Sequence, residues 1–152
     1  MASYHFHLTQ VKRSRGQSVI AQAAYRAGEK LYSTYYGESS DFTRKRGVVM
    51  AEICLPDHAP REYADRETLW NALEWAETGR KAQLAHSFDI TLMNEFSMEE
   101  NIEMARTFVR EELVSRGMIA DFAIHDPVRP KGAEPNPHIH ILVPIRPLKE
   151  DG

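Results

Sequence analysis

The chain has 152 residues, 42% hydrophobic and 27% charged, with a formal net charge of −3, which is the range of one soluble globular domain built around one core. A single cysteine, Cys54, excludes an intrachain disulfide, and no run approaches the roughly 20 apolar residues that span a bilayer. The opening Met-Ala-Ser-Tyr-His-Phe-His has neither the positive start nor the apolar stretch of a signal peptide, so a reducing cytoplasmic setting is expected. The charge is uneven: residues 1–46 carry eight Lys and Arg against three Asp and Glu, while the remainder carries eleven against nineteen. A polyanionic partner is therefore expected at the N-terminal third.

In chain order, Tyr4 to Thr9 alternates as a strand and is followed by a basic turn, Lys12-Arg13-Ser14-Arg15-Gly16. Gln17 to Leu31 puts Ile20, Ala24, Ala27 and Leu31 on one stripe and predicts a helix. Residues 32–46, with Tyr32, Tyr35, Tyr36 and Arg44-Lys45-Arg46, read as an exposed loop. Val48 to Leu55 is a second strand, and Asp65 is placed to cap a helix from Arg66 to about Glu77. Ser87 to Leu92 alternates again. Ser97 with Glu100 forms a capping box for a third helix that Gly117 ends, and strands near Ile119 to His125 and His138 to Val143 follow. The expected fold is α+β: a single, mainly antiparallel five-stranded sheet with helices covering one face and the active site on the other. No linker or repeat divides the chain, so residues 1–152 are expected to form one domain.

The strand faces carry the functional signal. Phe88, Ile90, Phe122, Ile124, Ile139 and Ile141 fall on one side of their strands, whereas the opposite side collects His5, His7, Asp89, His125, His138 and His140. If the last two strands form a hairpin that pairs His125 with His138, the same register matches Ile124 to Ile139 and Phe122 to Ile141. Three neutral imidazoles brought together in this way suit one divalent metal ion with open positions for a phosphate oxygen or water. Mg or Mn is the expected ion by its affinity for phosphate, although imidazole ligands also suit other transition metals. Surface histidines on a half-buried sheet are the plainer alternative.

On the first predicted helix, Tyr25 falls about 140° from Ile20, off the apolar stripe and beside Ser18, Gln22 and Glu29. That position suits either an amphipathic residue at a helix flank or a phenol presented to the histidine face. Tyr32 points almost the same way if the helix continues beyond Leu31.

The stretches Tyr4-His5-Phe6, Arg15-Gly16-Gln17-Ser18, Ala23-Ala24-Tyr25-Arg26-Ala27-Gly28-Glu29, Gly37-Glu38, Asp41-Phe42-Thr43-Arg44-Lys45 and Phe108-Val109-Arg110-Glu111 resemble segments of the MobA/MobL family of plasmid mobilisation relaxases, part of the His-hydrophobic-His endonuclease group. Ala123-Ile124-His125-Asp126 and Asn136-Pro137-His138-Ile139-His140 agree as well. The resemblance implies a metal site at His125, His138 and His140 and a nucleophile at Tyr25. The implied reaction is nicking and strand transfer of single-stranded transfer-origin DNA through a 5′-phosphotyrosyl link. Accessory relaxosome and coupling proteins are implied as further partners. Arg13, Arg15, Lys45, Arg46, Arg129 and Lys131 are expected to hold flanking phosphates, and Tyr32, Tyr35 and Tyr36 to stack on bases. Where the family usually has paired glutamates around an isoleucine, this chain reads Ser87-Phe88-Asp89, leaving Asp89 to orient an imidazole or take a proton. Family members continue beyond the motif strand, so the chain is expected to be an N-terminal part of a longer relaxase. Two rival readings are a metal-independent histidine phosphoesterase using His7-Leu8-Thr9, and a non-catalytic sheet that binds single-stranded nucleic acid.

Overall fold

The computed structural model describes residues 6–16, 18–77, 79–93, 95–127, 131–132 and 136–146; of the residues singled out above, Tyr4, His5 and Arg129 lie outside the described residues. The chain runs through β1 (Phe6–Lys12), α1 (Val19–Ala27), β2 (Lys30–Ser33), β3 (Glu38–Asp41), β4 (Val48–Cys54), α2 (Arg66–Ala76), β5 (Gln83–Thr91), α3 (Met98–Glu112), β6 (Ala120–His125) and β7 (His138–Pro144). Five strands form one sheet in the order β1-β5-β7-β6-β4, every neighbouring pair antiparallel, and β2 and β3 form a separate hairpin. The α+β class, the five strands and their antiparallel pairing are as expected from the sequence.

The helix caps follow the local chemistry. The Asp65 carboxylate accepts the Thr68 amide at the start of α2, and Ser97 and Glu100 form a reciprocal capping box at the start of α3. The first helix is shorter than its apolar stripe suggests. Gly28, at φ +68°, turns the chain into the left-handed region and closes its amide onto the Ala24 carbonyl, so Leu31 and Tyr32 belong to β2. A Cβ at Gly28 would also lie 3.2 Å from Val48 Cγ2. The segment expected as a loop is instead the β2–β3 hairpin, with Leu31 and Ser33 buried. Its outer edge is satisfied by α2: Glu67 accepts the Tyr32 amide, while Asn71 donates to the Tyr32 carbonyl and accepts the Thr34 amide.

The helices divide between the two faces of the sheet, which corrects the expectation that they share one. α3 covers the apolar face, where Ala105 and Val109 pack with Phe122, Ile124, Ile139 and Ile141. α1 and α2 cover one end of the other face, packing Ile20, Ala23, Ala24, Leu69 and Trp70 with Val11, Ala85 and Leu142. The reason is that the histidine-bearing face is only half polar: Leu142 shares it with His138 and His140, and Ala85 with Asp89. Its polar half is left beside the C-terminal end of α1.

One buried ion pair fixes this second layer. Arg66 at the start of α2 forks onto Asp121 of β6 at 2.8–3.0 Å and also bonds Glu29, while the Trp70 indole donates to Asp121 at 2.8 Å. Burial works against the Arg66 cation, but the hydrogen bonds and charges of Asp121 and Glu29 raise its pKa above the usual arginine value. Removing one partner strands the other charge in the interior. Asp121→Ala is therefore expected to lower unfolding stability by about 3–5 kcal/mol in urea denaturation. Arg106→Ala, which breaks the surface pairs with Glu52 and Glu103, is expected to cost far less, because solvent screens those charges. Equal losses would mean that Arg66–Asp121 is no more than a surface pair.

Candidate active site

The β6–β7 hairpin has the register expected from its apolar residues: His125 opposes His138, Ile124 opposes Ile139, and Phe122 opposes Ile141. Across the next pairing Asp89 opposes His140, and His7 opposes Asp89 on the far side. Directly paired residues project to the same face, so His7, Asp89, His125, His138 and His140 share one surface. The His125 and His140 rings have centroids 4.3 Å apart, and the His138 and His140 rings stack at 5.9 Å.

Each imidazole is held differently. His125 pairs through Nε2 with the Arg26 carbonyl at 2.7 Å, which requires Nε2 to carry the proton. His140 pairs through Nδ1 with the Asp89 carboxylate at 2.5 Å, as the sequence led us to expect of an orienting acid. His138 Nδ1 is buried without a hydrogen-bond partner among the described residues. Burial lowers the His125 pKa to about 4; the Arg26 carbonyl opposes this, and the neighbouring His140, Lys45 and His138 reinforce it. Burial, then the charge of His140, also lowers His138. Burial pushes the Asp89 carboxyl up, but the hydrogen bond and charge of His140, together with Arg26 and His7, hold it below the usual carboxylate range.

Among the described residues no three His, Cys, Asp or Glu side chains stand in a ready ligating arrangement. The donor chemistry nevertheless fits a cation. His125 and His140 each tie one ring nitrogen to an oxygen and leave the other with its lone pair, the outer-shell pattern that fixes tautomers in metal-binding histidines. The unpaired His138 Nδ1 adds a third donor.

Tyr25 stands at this rim. It lies in the last turn of α1, 46% exposed, with its ring 6.5 Å from His125 and edge-on to Phe42 at 5.3 Å. Tyr32, which would share that helical wheel in a longer helix, lies on β2 instead. Lys45, expected as a phosphate contact, is half-exposed: its ammonium donates to the Tyr25 carbonyl at 3.0 Å and lies 3.3 Å over the Tyr25 ring centroid. Burial, then the charge of Arg26, lowers its pKa to about 8.

Arg13 is also occupied. It donates to the Glu74 and Glu77 carbonyls at the end of α2 and lies 4.0 Å over the Tyr35 ring. Arg15, Arg46 and Lys131 are exposed. The sequence reading passed over Arg26, whose guanidinium reaches Gln22 and Ser87 at 2.6 Å and sets a buried cation beside Asp89. Its adjacency to Tyr25 was the available signal. Gly47 is required where β4 begins: at φ +86° its carbonyl accepts the Asp126 amide, and a Cβ there would meet the Asp126 carbonyl at 2.9 Å.

An antiparallel sheet that presents a histidine cluster to a helix-borne tyrosine defines the class of domain; comparison with known proteins then places it. The MobA/MobL family profile matches residues 17–152, and the chain belongs to that family. It is 38% identical over its whole length to the conjugal transfer protein TraA of Agrobacterium fabrum, covering 14% of that protein. It is 36% identical over 97% of its length to the "Probable mobilization protein MobA" of Bifidobacterium longum, covering 26% of it. The chain thus spans a small part of the curated relatives it matches. A solved structure from work on the molecular basis of vancomycin resistance transfer in Staphylococcus aureus superposes with a TM-score of 0.87 at 35% identity, covering 97% of this chain and 73% of that one. Among the described residues no helix is long and apolar enough to cross a membrane.

The His125 environment has a measurable consequence. In metal-free protein its ring resonances are expected to titrate near pH 4, well below the ordinary histidine value of 6.5. Between those two values the unfolded chain binds a proton that the folded one refuses, so this group's contribution to stability falls as pH drops from about 6.5 to 4. An NMR titration showing His125 protonating near 6.5 would contradict the burial argument.

Proposed function

We propose that this chain is the nicking domain of a mobilisation relaxase, acting on single-stranded transfer-origin DNA and retaining the cut strand on Tyr25 through a 5′-phosphotyrosyl bond. The observation that carries this reading is the exposed Tyr25 phenol set beside three gathered imidazoles, of which His125 and His138 have lowered pKa values. Tyr25 Oη attacks the phosphorus, the bond from phosphorus to the 3′ oxygen breaks, and the phenol proton is released as the 3′ oxygen leaves and takes up a proton to become a hydroxyl. Because one phosphate ester replaces another, a 3′-hydroxyl can later reverse the step.

His125, His138 and His140 would hold one divalent cation, Mg or Mn. When bound, that ion withdraws electron density from the scissile phosphate. Asp89 acts as a positioning residue by fixing the His140 ring through Nδ1. The Lys45 ammonium over the Tyr25 ring and the buried Arg26 guanidinium supply fixed positive charge where a phenolate and a phosphate would meet. Arg15, Arg46 and Lys131 are exposed cations suited to flanking phosphates. Relaxosome and coupling proteins are the expected further partners.

Tyr25→Phe removes only the hydroxyl. With oligonucleotides from the cognate origin and a divalent cation, the wild type is expected to form a protein–DNA adduct that survives denaturing electrophoresis. The variant should form none while binding the strand within about threefold of wild type. Chelation should also abolish the adduct, and Tyr32→Phe should retain it. An adduct that persists in Tyr25→Phe reassigns the nucleophile, and its absence from the wild type under these conditions overturns the relaxase reading.

A further inference from the structure

Apart from the active site, the described residues expose a concentrated group of aromatic rings where α2 meets the β2–β3 hairpin. Trp75 in the last turn of α2 is 54% exposed, and Tyr32 and Tyr36 of the β2–β3 hairpin are 46% and 37% exposed. The rings are fixed from below. The Trp75 indole donates to Thr34 Oγ1 at 2.8 Å, and Tyr35 lies edge-on to Trp75 and Tyr36 with centroids 5.0 and 4.9 Å away. The Arg13 guanidinium caps Tyr35 while tied to two α2 carbonyls. Tyr32 leans toward the hairpin turn, where a Cβ on Gly37 would lie 4.0 Å from its hydroxyl.

The surroundings are basic. A shallow groove of about 430 Å³ runs past Arg13, Ser14, Tyr35, Gly79 and Arg80, with exposed Arg15 and Lys81 nearby. The patch combines aromatic faces with cations and exposes no large aliphatic side chain. An apolar protein partner would leave those cations without counter-charges, whereas single-stranded DNA offers a base for each ring face and a phosphate for each cation.

We propose that Trp75 and Tyr36, flanked by Tyr32, form a stacking platform for unpaired bases of the DNA strand, a binding subsite separate from the histidine cluster. It rests on the single-stranded DNA reading given above and adds where the strand goes. Ser18 at the start of α1 bonds Glu74, the residue before Trp75, and Tyr25 follows seven residues later along the same helix. Preformed rings reduce the ordering cost of binding, and base–aromatic stacking is largely indifferent to sequence.

The chain contains two tryptophans, and Trp70 is buried against Asp121, so quenching of intrinsic fluorescence by added DNA reports on Trp75. A 20-nucleotide oligo(dT) is expected to quench the wild type, whereas a 20-base-pair duplex at the same concentration is not. Trp75→Ala and, independently, Tyr36→Ala should weaken oligo(dT) binding by about 5- to 100-fold in anisotropy measurements. Trp75→Phe keeps a ring and should stay within about threefold of wild type. Should Trp75→Ala perturb the hairpin in circular dichroism, Tyr36→Ala and Trp75→Phe still decide the matter. Oligo(dT) binding without quenching, equal quenching by duplex, or wild-type affinity in both alanine variants would overturn the platform. Failure of the relaxase reading would show separately, as absence of the Tyr25 adduct in the wild type.

Discussion

The pairing of His125 with His138 is a register, and a register in a strand pair cannot be adjusted by degrees. A slip of one residue in either strand would turn its isoleucines or phenylalanine out of the core beneath α3 and bury that strand's histidines instead. The hydrophobic effect that buries Ile124, Ile139, Phe122 and Ile141 therefore selects the arrangement that gathers the imidazoles. Asp89 joins by the same logic, because β5 pairs with β7 in a register that also aligns Phe88 with Ile141. The polar site is assembled as the reverse side of an apolar core, with no separate driving force of its own.

The tyrosine needs a second support, since α1 is only nine residues long and a helix that short is not stable by itself. Its N-terminus is anchored by Glu74 of α2, which accepts the Ser18 hydroxyl and the Ile20 amide. α2 in turn is fastened to the sheet through Arg66 and Asp121. Tyr25 thus reaches the histidine face through a chain of contacts that begins and ends on β6: Asp121 holds α2, α2 holds α1, and the Arg26 carbonyl returns to His125.

Much of this was legible in the sequence because it follows from alternation. Phe122, Ile124, Ile139 and Ile141 announce their faces, and one hairpin register satisfies all of them; the capping residues Asp65 and Ser97 mark two helix starts plainly. The misjudged parts depend on contacts between distant elements. Leu31 continues the apolar stripe of α1, yet Gly28 ends the helix and Leu31 is buried from a strand instead. The β2–β3 hairpin has little alternation of its own and takes its edge partners from Glu67 and Asn71, more than thirty residues away. Placing all the helices on the other face gave too little weight to Leu142 and Ala85, which lie on the histidine face and mark where α1 and α2 pack. The contacts of the Lys45 and Arg13 heads with the Tyr25 and Tyr35 rings likewise join distant elements and have no signal in composition.

β7 is the last of the described strands and the middle strand of the sheet, bonded to β5 on one edge and β6 on the other. Until it emerges from the ribosome, β1 with β5 and β4 with β6 can exist only as two separate ribbons, each with an unpaired inner edge. Such long-range closure is the slow kind of folding step, because it waits on a strand that follows both of its sheet neighbours in sequence. Two of the three clustered imidazoles travel on that closing strand, and the third opposes them across it. A nascent or truncated chain lacking β7 therefore carries Tyr25 but not the constellation beside it, so the tyrosine and the gathered imidazoles meet only when the sheet closes.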